Sequence, residues 1–276
     1  MRLSDALVLV RGGGDLATGV AHRLQRAGLT VAITELPQPL AVRRAVAFAE
    51  AVYSKTITVE GVTARFAADP MVGIAYTALN EIPVMLDQAG EALRQLRPAV
   101  VVDARIAKRN LDTHRTDAPL VIGLGPGFVA GEDCHVVVET NRGHHLGRVY
   151  WQGSAEPDTG QPEPVQGFVG QRVLRAPSTG LFYGQKQIGD HVRVGEVLAL
   201  VNQHPLLAPF DGVLRGLLHD DVPVTTDLKV GDLDPRGRRE NCFLISDKAR
   251  AIGGGVLEAI LTGSQLWSDT PLAVGA

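Results

Sequence analysis

The segment LVLVRGGGDLATGVAHRL, residues 7–24, leaves few folds open to this chain. A short apolar run ends at three glycines, and the residues that follow place Leu16, Val20, Ala21 and Leu24 on one helical face until Gly28. A strand that passes through a tight turn directly into a helix calls for a sheet with that helix packed on it. Read as GxGxxG/A, Gly12, Gly14 and Ala17 take the three small positions: the tight turn, the close backbone approach to a phosphate, and the close helix-to-strand packing. The helix from Asp15 then aims its free N–H groups and positive dipole end at an anion. The other reading of the glycines is tight packing with no ligand. Asp15 has two readings as well, since it repels phosphate but can cap the helix.

The same rhythm continues along the first half. Leu29 to Thr34, Ile82 to Leu86, Ala99 to Asp103, Leu120 to Gly123 and His135 to Glu139 read as strands, and Gln88 to Leu96 as an amphipathic helix. Thr56 to Phe66 alternates like a hairpin turning at Glu60-Gly61. Continuously apolar strands separated by helices predict an α/β fold with a Rossmann-like, doubly wound parallel sheet. Residues 154–166 (SAEPDTGQPEPVQ) hold three prolines and few large apolar side chains, the composition of a linker. Beyond them Ala176-Pro177-Ser178-Thr179-Gly180 is echoed 32 residues later by Ala208-Pro209-Phe210-Asp211-Gly212, as expected of two interlocking strand sets. The expected organisation is a nucleotide-binding domain over 1–150, a linker over 151–167, a small all-β barrel-sandwich domain over 168–247, a C-terminal helix over 248–263 and a tail over 264–276.

Composition narrows the function classes. A formal net charge of -3 offers no basic field for nucleic acid, and 5% aromatic residues supply few stacking platforms. No apolar stretch reaches the ~18 residues of a membrane span, and the N-terminus lacks a leader's cleavage pattern, so a cytoplasmic location without membrane partners is expected. Cys134 and Cys242 have neither disulfide nor zinc spacing and read as buried small apolar residues. Arg142-Gly143-His144-His145 can face a phosphate or a partner, but adjacent histidines diverge and make a poor metal site.

Ligands of open parallel sheets collect where strands end. Gly12, Gly13, Gly14, Asp15 and Ala17, then Glu35, then Asp103 and Arg105, then Gly123, Gly125 and Gly127 all follow strands, and together they are the expected cofactor-binding set. Glu35 lies ~20 residues past the glycines, where an acid accepts from a ribose 2′-hydroxyl. Arg43 and Arg44 are expected on the following helix, pointing elsewhere. Gly123 to Gly127 can equally be an ordinary tight loop. Gly253-Gly254-Gly255 reads as a glycine run opening a helix, either for close packing or as a second anion site.

The motifs RGGGDLATGVAHRL, Glu35 with the later PLAVRR, GLGPGF, ETNRGHHLGRV at 139–149, VGDLDPRG at 230–237 and AIGGGVLEAIL at 251–261 together resemble the YqeB family of selenium-dependent molybdenum hydroxylase system proteins. The resemblance covers the chain to about Gly263. It implies an accessory role in maturing a molybdenum hydroxylase, by analogy with XdhC-type proteins. The 32-residue echo also resembles biotinyl/lipoyl-type domains, yet residues 202–207 (NQHPLL) carry no lysine where a carrier presents its modified one. Docking is therefore preferred to swinging-arm chemistry. Three readings stand: an accessory protein holding NAD or a molybdopterin dinucleotide, an NAD-dependent oxidoreductase, and a non-catalytic docking protein with a possible homo-oligomeric state. No catalytic residue is assigned by the sequence.

Overall fold

The computed structural model describes residues 6–87, 90–158, 160, 165–168 and 170–265. The start of the amphipathic segment at Gln88, part of the proline-rich stretch and the tail beyond Gln265 lie outside the described residues.

The first half builds ten of the strands. They are β1 (Leu7–Arg11), β2 (Thr30–Glu35), β3 (Thr56–Val59), β4 (Val62–Ala67), β5 (Ile82–Leu86), β6 (Val100–Asp103), β7 (Leu120–Leu124), β8 (Val129–Ala130), β9 (Val136–Val138) and β10 (Val149–Tyr150). Nine of them form one sheet in the order β10-β9-β7-β6-β1-β2-β5-β4-β3. Its interior strands run parallel, but β3 pairs antiparallel with β4 and β10 antiparallel with β9. Helices α1 (Asp15–Arg26), α2 (Ala51–Ser54), α3 (Pro70–Ile74) and α4 (Glu91–Leu96) connect part of it.

This corrects the expected fold class. A doubly wound parallel sheet needs a helical crossover after each strand, whereas this sheet is mixed, and the connections after β6 and β7 contain no helix. The reason is local. Residues 104–119 are charged and lack helical periodicity, and Thr56 to Ala67 alternates, so it closes as a hairpin and caps the sheet edge. The described residues form a large mixed sheet joined to two four-stranded antiparallel sheets and one two-stranded one.

Strands β11 (Gly153–Ser154), β12 (Val173–Arg175), β13 (Gly180–Gly184), β14 (His191–Val192), β15 (Val197–Val201), β16 (His204–Leu207), β17 (Gly212–Leu217), β18 (Val222–Val224) and β19 (Lys229–Asp234) follow. β11 pairs back onto β8. The other eight form two four-stranded antiparallel sheets, β12-β19-β17-β14 and β16-β15-β13-β18. Exchanging β12 with β16, β13 with β17, β14 with β18 and β15 with β19 converts one order into the other, so the 32-residue echo begins one strand in each sheet. Leu174, Phe182, Leu198, Leu214, Val224 and Leu233 share one core between them.

Helix α5 (Asp247–Thr262) does not stay with those sheets. It returns to the large sheet and packs along α1, where Ala249, Ile252, Val256 and Ile260 join Val8, Val10, Val100 and Ile122 in a single core. Gly253 to Gly255 sit inside this helix rather than at its start. No helix among the described residues is long and apolar enough to cross a membrane.

Candidate functional site

Parallel register brings the sequence-selected residues to one edge. Arg11 stands beside Thr34 and Asp103, and Asp103 beside Gly123, so the residues that follow β1, β2, β6 and β7 are neighbours. What occupies the close approaches there is mostly the chain itself. Gly12 has φ +92°, and a Cβ on it would lie 3.2 Å from the Arg105 backbone. A Cβ on Gly13 would lie 2.9 Å from the Ala49 nitrogen, while Ala49 N–H donates to the Gly13 carbonyl at 2.8 Å. Among these three glycines, Gly14 alone has open space where its side chain would be. It is also the N-cap of α1 and provides no side-chain cap, and Ala17 is buried in the first turn.

Glu35 reaches this turn. Its carboxylate accepts from Gly13 N–H at 2.7 Å and from Leu36 N–H at 2.7 Å. A ligand phosphate that used the Gly13 N–H would have to take it from Glu35. Burial raises the Glu35 carboxyl above the usual carboxylate range, and the Leu36 and Gly13 N–H groups offset that only in part. The folded chain therefore holds a proton at Glu35 more tightly than the unfolded chain, and this residue's contribution to stability falls as pH rises through the interval above the ordinary carboxylate value. In Glu35→Gln that contribution is absent. The stability difference, variant minus parent, is expected to grow more favourable to the variant as pH is raised from about 4 to about 7. Melting curves across that range check it, and a flat difference would remove the buried charge as the cause.

Asp103 and Arg105 grip each other. The guanidinium Nη2 of Arg105 lies 2.6 Å from Asp103 Oδ2 and 2.6 Å from Asp112 Oδ1. Thr113 donates to Asp103 Oδ2 at 2.6 Å and accepts from Arg11 at 2.8 Å. Gly123, Gly125 and Gly127 pack against Phe128, Thr140 and the Arg109 backbone respectively. Cys134 is buried nearby, and burial pushes its thiol up to about 11, which keeps it protonated at neutral pH. His145 pairs with Glu156 at 2.9 Å.

The structure moves some charged side chains from where the sequence put them and adds others. Arg43 does not point away on a helix but forms an ion pair with Asp15 at 3.0 Å, in the first turn of α1. Arg44 opens a short turn over 44–46, and next to it Glu50 and Lys186 help to line a cleft of about 540 Å³ between the large sheet and the β13–β14 loop. Tyr53 stacks on His219 with centroids 4.2 Å apart, and His219 Nε2 faces Glu50 at 3.9 Å. Burial raises the Glu50 carboxyl against the opposing pull of Arg44 and His219. The usable signal was the placement of charge in apolar strands: Arg11 ends LVLVR, and Arg215 interrupts GVLRGL. A charge in such a position is retained only with partners.

Comparison with known proteins gives a narrow result. No family model matches the chain. An aspartoacylase family protein from Mesorhizobium loti is 12% identical with a TM-score of 0.26, covering 83% of this chain and 84% of its own. A succinylglutamate desuccinylase/aspartoacylase from Rhodobacter sphaeroides is 17% identical, also with a TM-score of 0.26 and the same coverage, 83% and 84%. Likeness at that level carries no argument. An uncharacterized protein YqeB from Escherichia coli (strain K12) is 49% identical over 255 residues, which is 92% of this chain and 47% of the relative. The chain thus spans about half the length of that relative. Identity at this level across nearly the whole chain supports the YqeB family as the family of this protein.

Proposed function

We propose that the chain is the ligand-holding part of an accessory protein for a selenium-dependent molybdenum hydroxylase system, and that it binds a nucleotide-bearing or molybdopterin-type cofactor at the strand edge. The observation that carries the ligand site is Gly14, which opens a twelve-residue helix and has free space on its side-chain face. Oriented N–H groups at such a turn suit a phosphate oxygen. The molybdenum system comes from the sequence motifs of the family and not from the site's geometry. The acids beside Gly14 are already engaged, Asp15 with Arg43 and Glu35 with two backbone N–H groups, so holding and delivering the ligand is preferred to transforming it.

Calorimetric titration with CTP, NAD, NADP and molybdenum cofactor tests the reading. At least one phosphate-bearing ligand is expected to bind, and Gly14→Val to weaken it by about tenfold or more, because a branched side chain occupies the approach. Retention of full affinity in Gly14→Val would end the phosphate-site reading. If NAD is the ligand, as an NAD-dependent oxidoreductase would require, Glu35 should favour it over NADP, whose 2′-phosphate it repels.

A further inference from the structure

Beside the open turn at Gly14 the chain buries more cationic hydrogen-bonding capacity than it satisfies. Arg43, whose side chain is 9% exposed, gives one terminal nitrogen to Asp15 at 3.0 Å and the other to the carbonyl of Leu244 at 3.3 Å. Its Nε is buried and has no hydrogen-bond partner among the described residues. Arg215 on β17, with a side chain 13% exposed, is in the same condition at Nε. The carboxylates nearest to it are Asp232 at 3.6 Å and Asp234 at 3.9 Å, both beyond hydrogen-bond reach. Asp234 is already held by Arg236, whose Nε and Nη2 approach its two oxygens at 2.9 and 2.6 Å. Burial lowers the affinity of Arg215 for its proton, and Arg43 opposes its charge in the same direction. Their charged neighbours are more open: Asp15 is 33% exposed and Arg236 38%.

Leaving a charged donor buried without its bond is among the costlier arrangements in a protein interior. Two such donors on separate elements, with Arg43 paired to Asp15 in the uncapped first turn of α1 and near enough to Arg215 to oppose its charge, are explained by an anion that completes them. We propose that Arg43 and Arg215, together with the first turn of α1 at Gly14, form the seat of a phosphoryl group, the anionic end of a phosphomonoester or diphosphate ligand. Arg43 comes from the connection that follows β2 and Arg215 from β17, so the bound phosphoryl group bridges the two. This deepens the cofactor-binding reading above and rests on it for the rest of the ligand. It moves the recognised charge from the Gly13 N–H, which Glu35 holds, to the two guanidinium groups.

Thermal melting and calorimetry with inorganic phosphate, against chloride at equal ionic strength, test the seat without any assumption about the cofactor. The parent is expected to be stabilised by phosphate. Arg215→Met is expected to melt at or above the parent in phosphate-free buffer, because it removes an incompletely bonded buried charge, and to lose the phosphate stabilisation. Arg43→Lys keeps the charge but loses the fork, and is expected to weaken phosphate about tenfold or more. Arg94→Met, at an exposed ion pair, should leave the phosphate effect as in the parent. The proposal is overturned if phosphate does not stabilise the parent, or if Arg215→Met and Arg43→Lys both bind it as the parent does. An Arg215→Met protein that melts well below the parent in phosphate-free buffer while still being stabilised by phosphate would make Arg215 structural, and also overturns it. Should nucleotides bind and respond to Gly14→Val but not to Arg215→Met, the arginine seat fails and the cofactor reading stands. Should phosphate bind through Arg215 while no nucleotide or pterin cofactor binds, the seat stands and the cofactor reading fails.

Discussion

Gly19→Ala is expected to destabilise the protein by about 2 kcal/mol, although alanine in a helix is ordinarily favoured over glycine by up to about 1 kcal/mol. Sterics decide the sign. A Cβ on Gly19 would stand 2.6 Å from the Ala249 Cβ and 2.7 Å from the Ala249 carbonyl oxygen, and the reciprocal contact puts a Cβ on Gly253 at 2.7 Å from the Gly19 carbonyl. Backbone atoms cannot turn aside as a flexible side chain can, so α1 and α5 must separate and loosen the core that both share with Val8 and Val10. Gly254 is the internal control, because nothing lies within 4 Å of its side-chain position. Gly254→Ala is expected to be neutral or stabilising by up to about 1 kcal/mol. In a thermal melt the first variant should fall by about 4–8 °C and the second should not fall. Equal midpoints for the two would mean that the α1–α5 contact does not limit stability.

The contrast between Gly19 and Gly254 shows what a glycine run in a sequence can and cannot say. It announces that something comes close, but not what. At Gly13 the close neighbour is the Ala49 backbone, at Gly253 it is α1, and at Gly14 the space is open. Those outcomes depend on where residues 44–50 and α5 return, which no local pattern encodes. Strand and hairpin periods were legible because they are local: Ile82 to Leu86 and the turn at Glu60-Gly61 lie where alternation and apolar runs put them. The fold class was not, because a sheet's edges are settled by which segment pairs last. The antiparallel partners β3 and β10 are short, and the runs that form them read equally well as excursions from a parallel core. Arg43 and Arg215 lie 172 residues apart in the numbering and meet only in three dimensions. Of the site, then, the strand ends were legible and the charges that converge beside them were not.

Asp103 separates a ligand-binding edge from a self-supporting one. Its side chain is 2% exposed and takes donors from its own chain on both oxygens: Arg105 N–H at 3.1 Å on Oδ1, and Thr113 Oγ1 and Arg105 Nη2 at 2.6 Å each on Oδ2. A carboxylate so surrounded accepts nothing from a ligand without first giving up a bond. Asp103→Ala leaves Arg105 with the exposed Asp112 as its remaining carboxylate, and strips Thr113 of its acceptor while Arg11 and Arg105 still lean on that hydroxyl. Removing one partner of a buried ion pair costs about 3–5 kcal/mol, and the partial exposure of Arg105 argues for the lower end, about 3 kcal/mol. Asp103→Asn keeps the shape and one oxygen, and is expected to cost less. Urea denaturation of the ligand-free proteins measures both. A shift in midpoint without a change in slope would place the loss in the folded network. If Asp103→Ala stayed within about 0.5 kcal/mol of the parent, the Arg11–Thr113–Asp103–Arg105 chain would not be what holds the β1 and β6 ends together, and Asp103 would be free to serve a ligand.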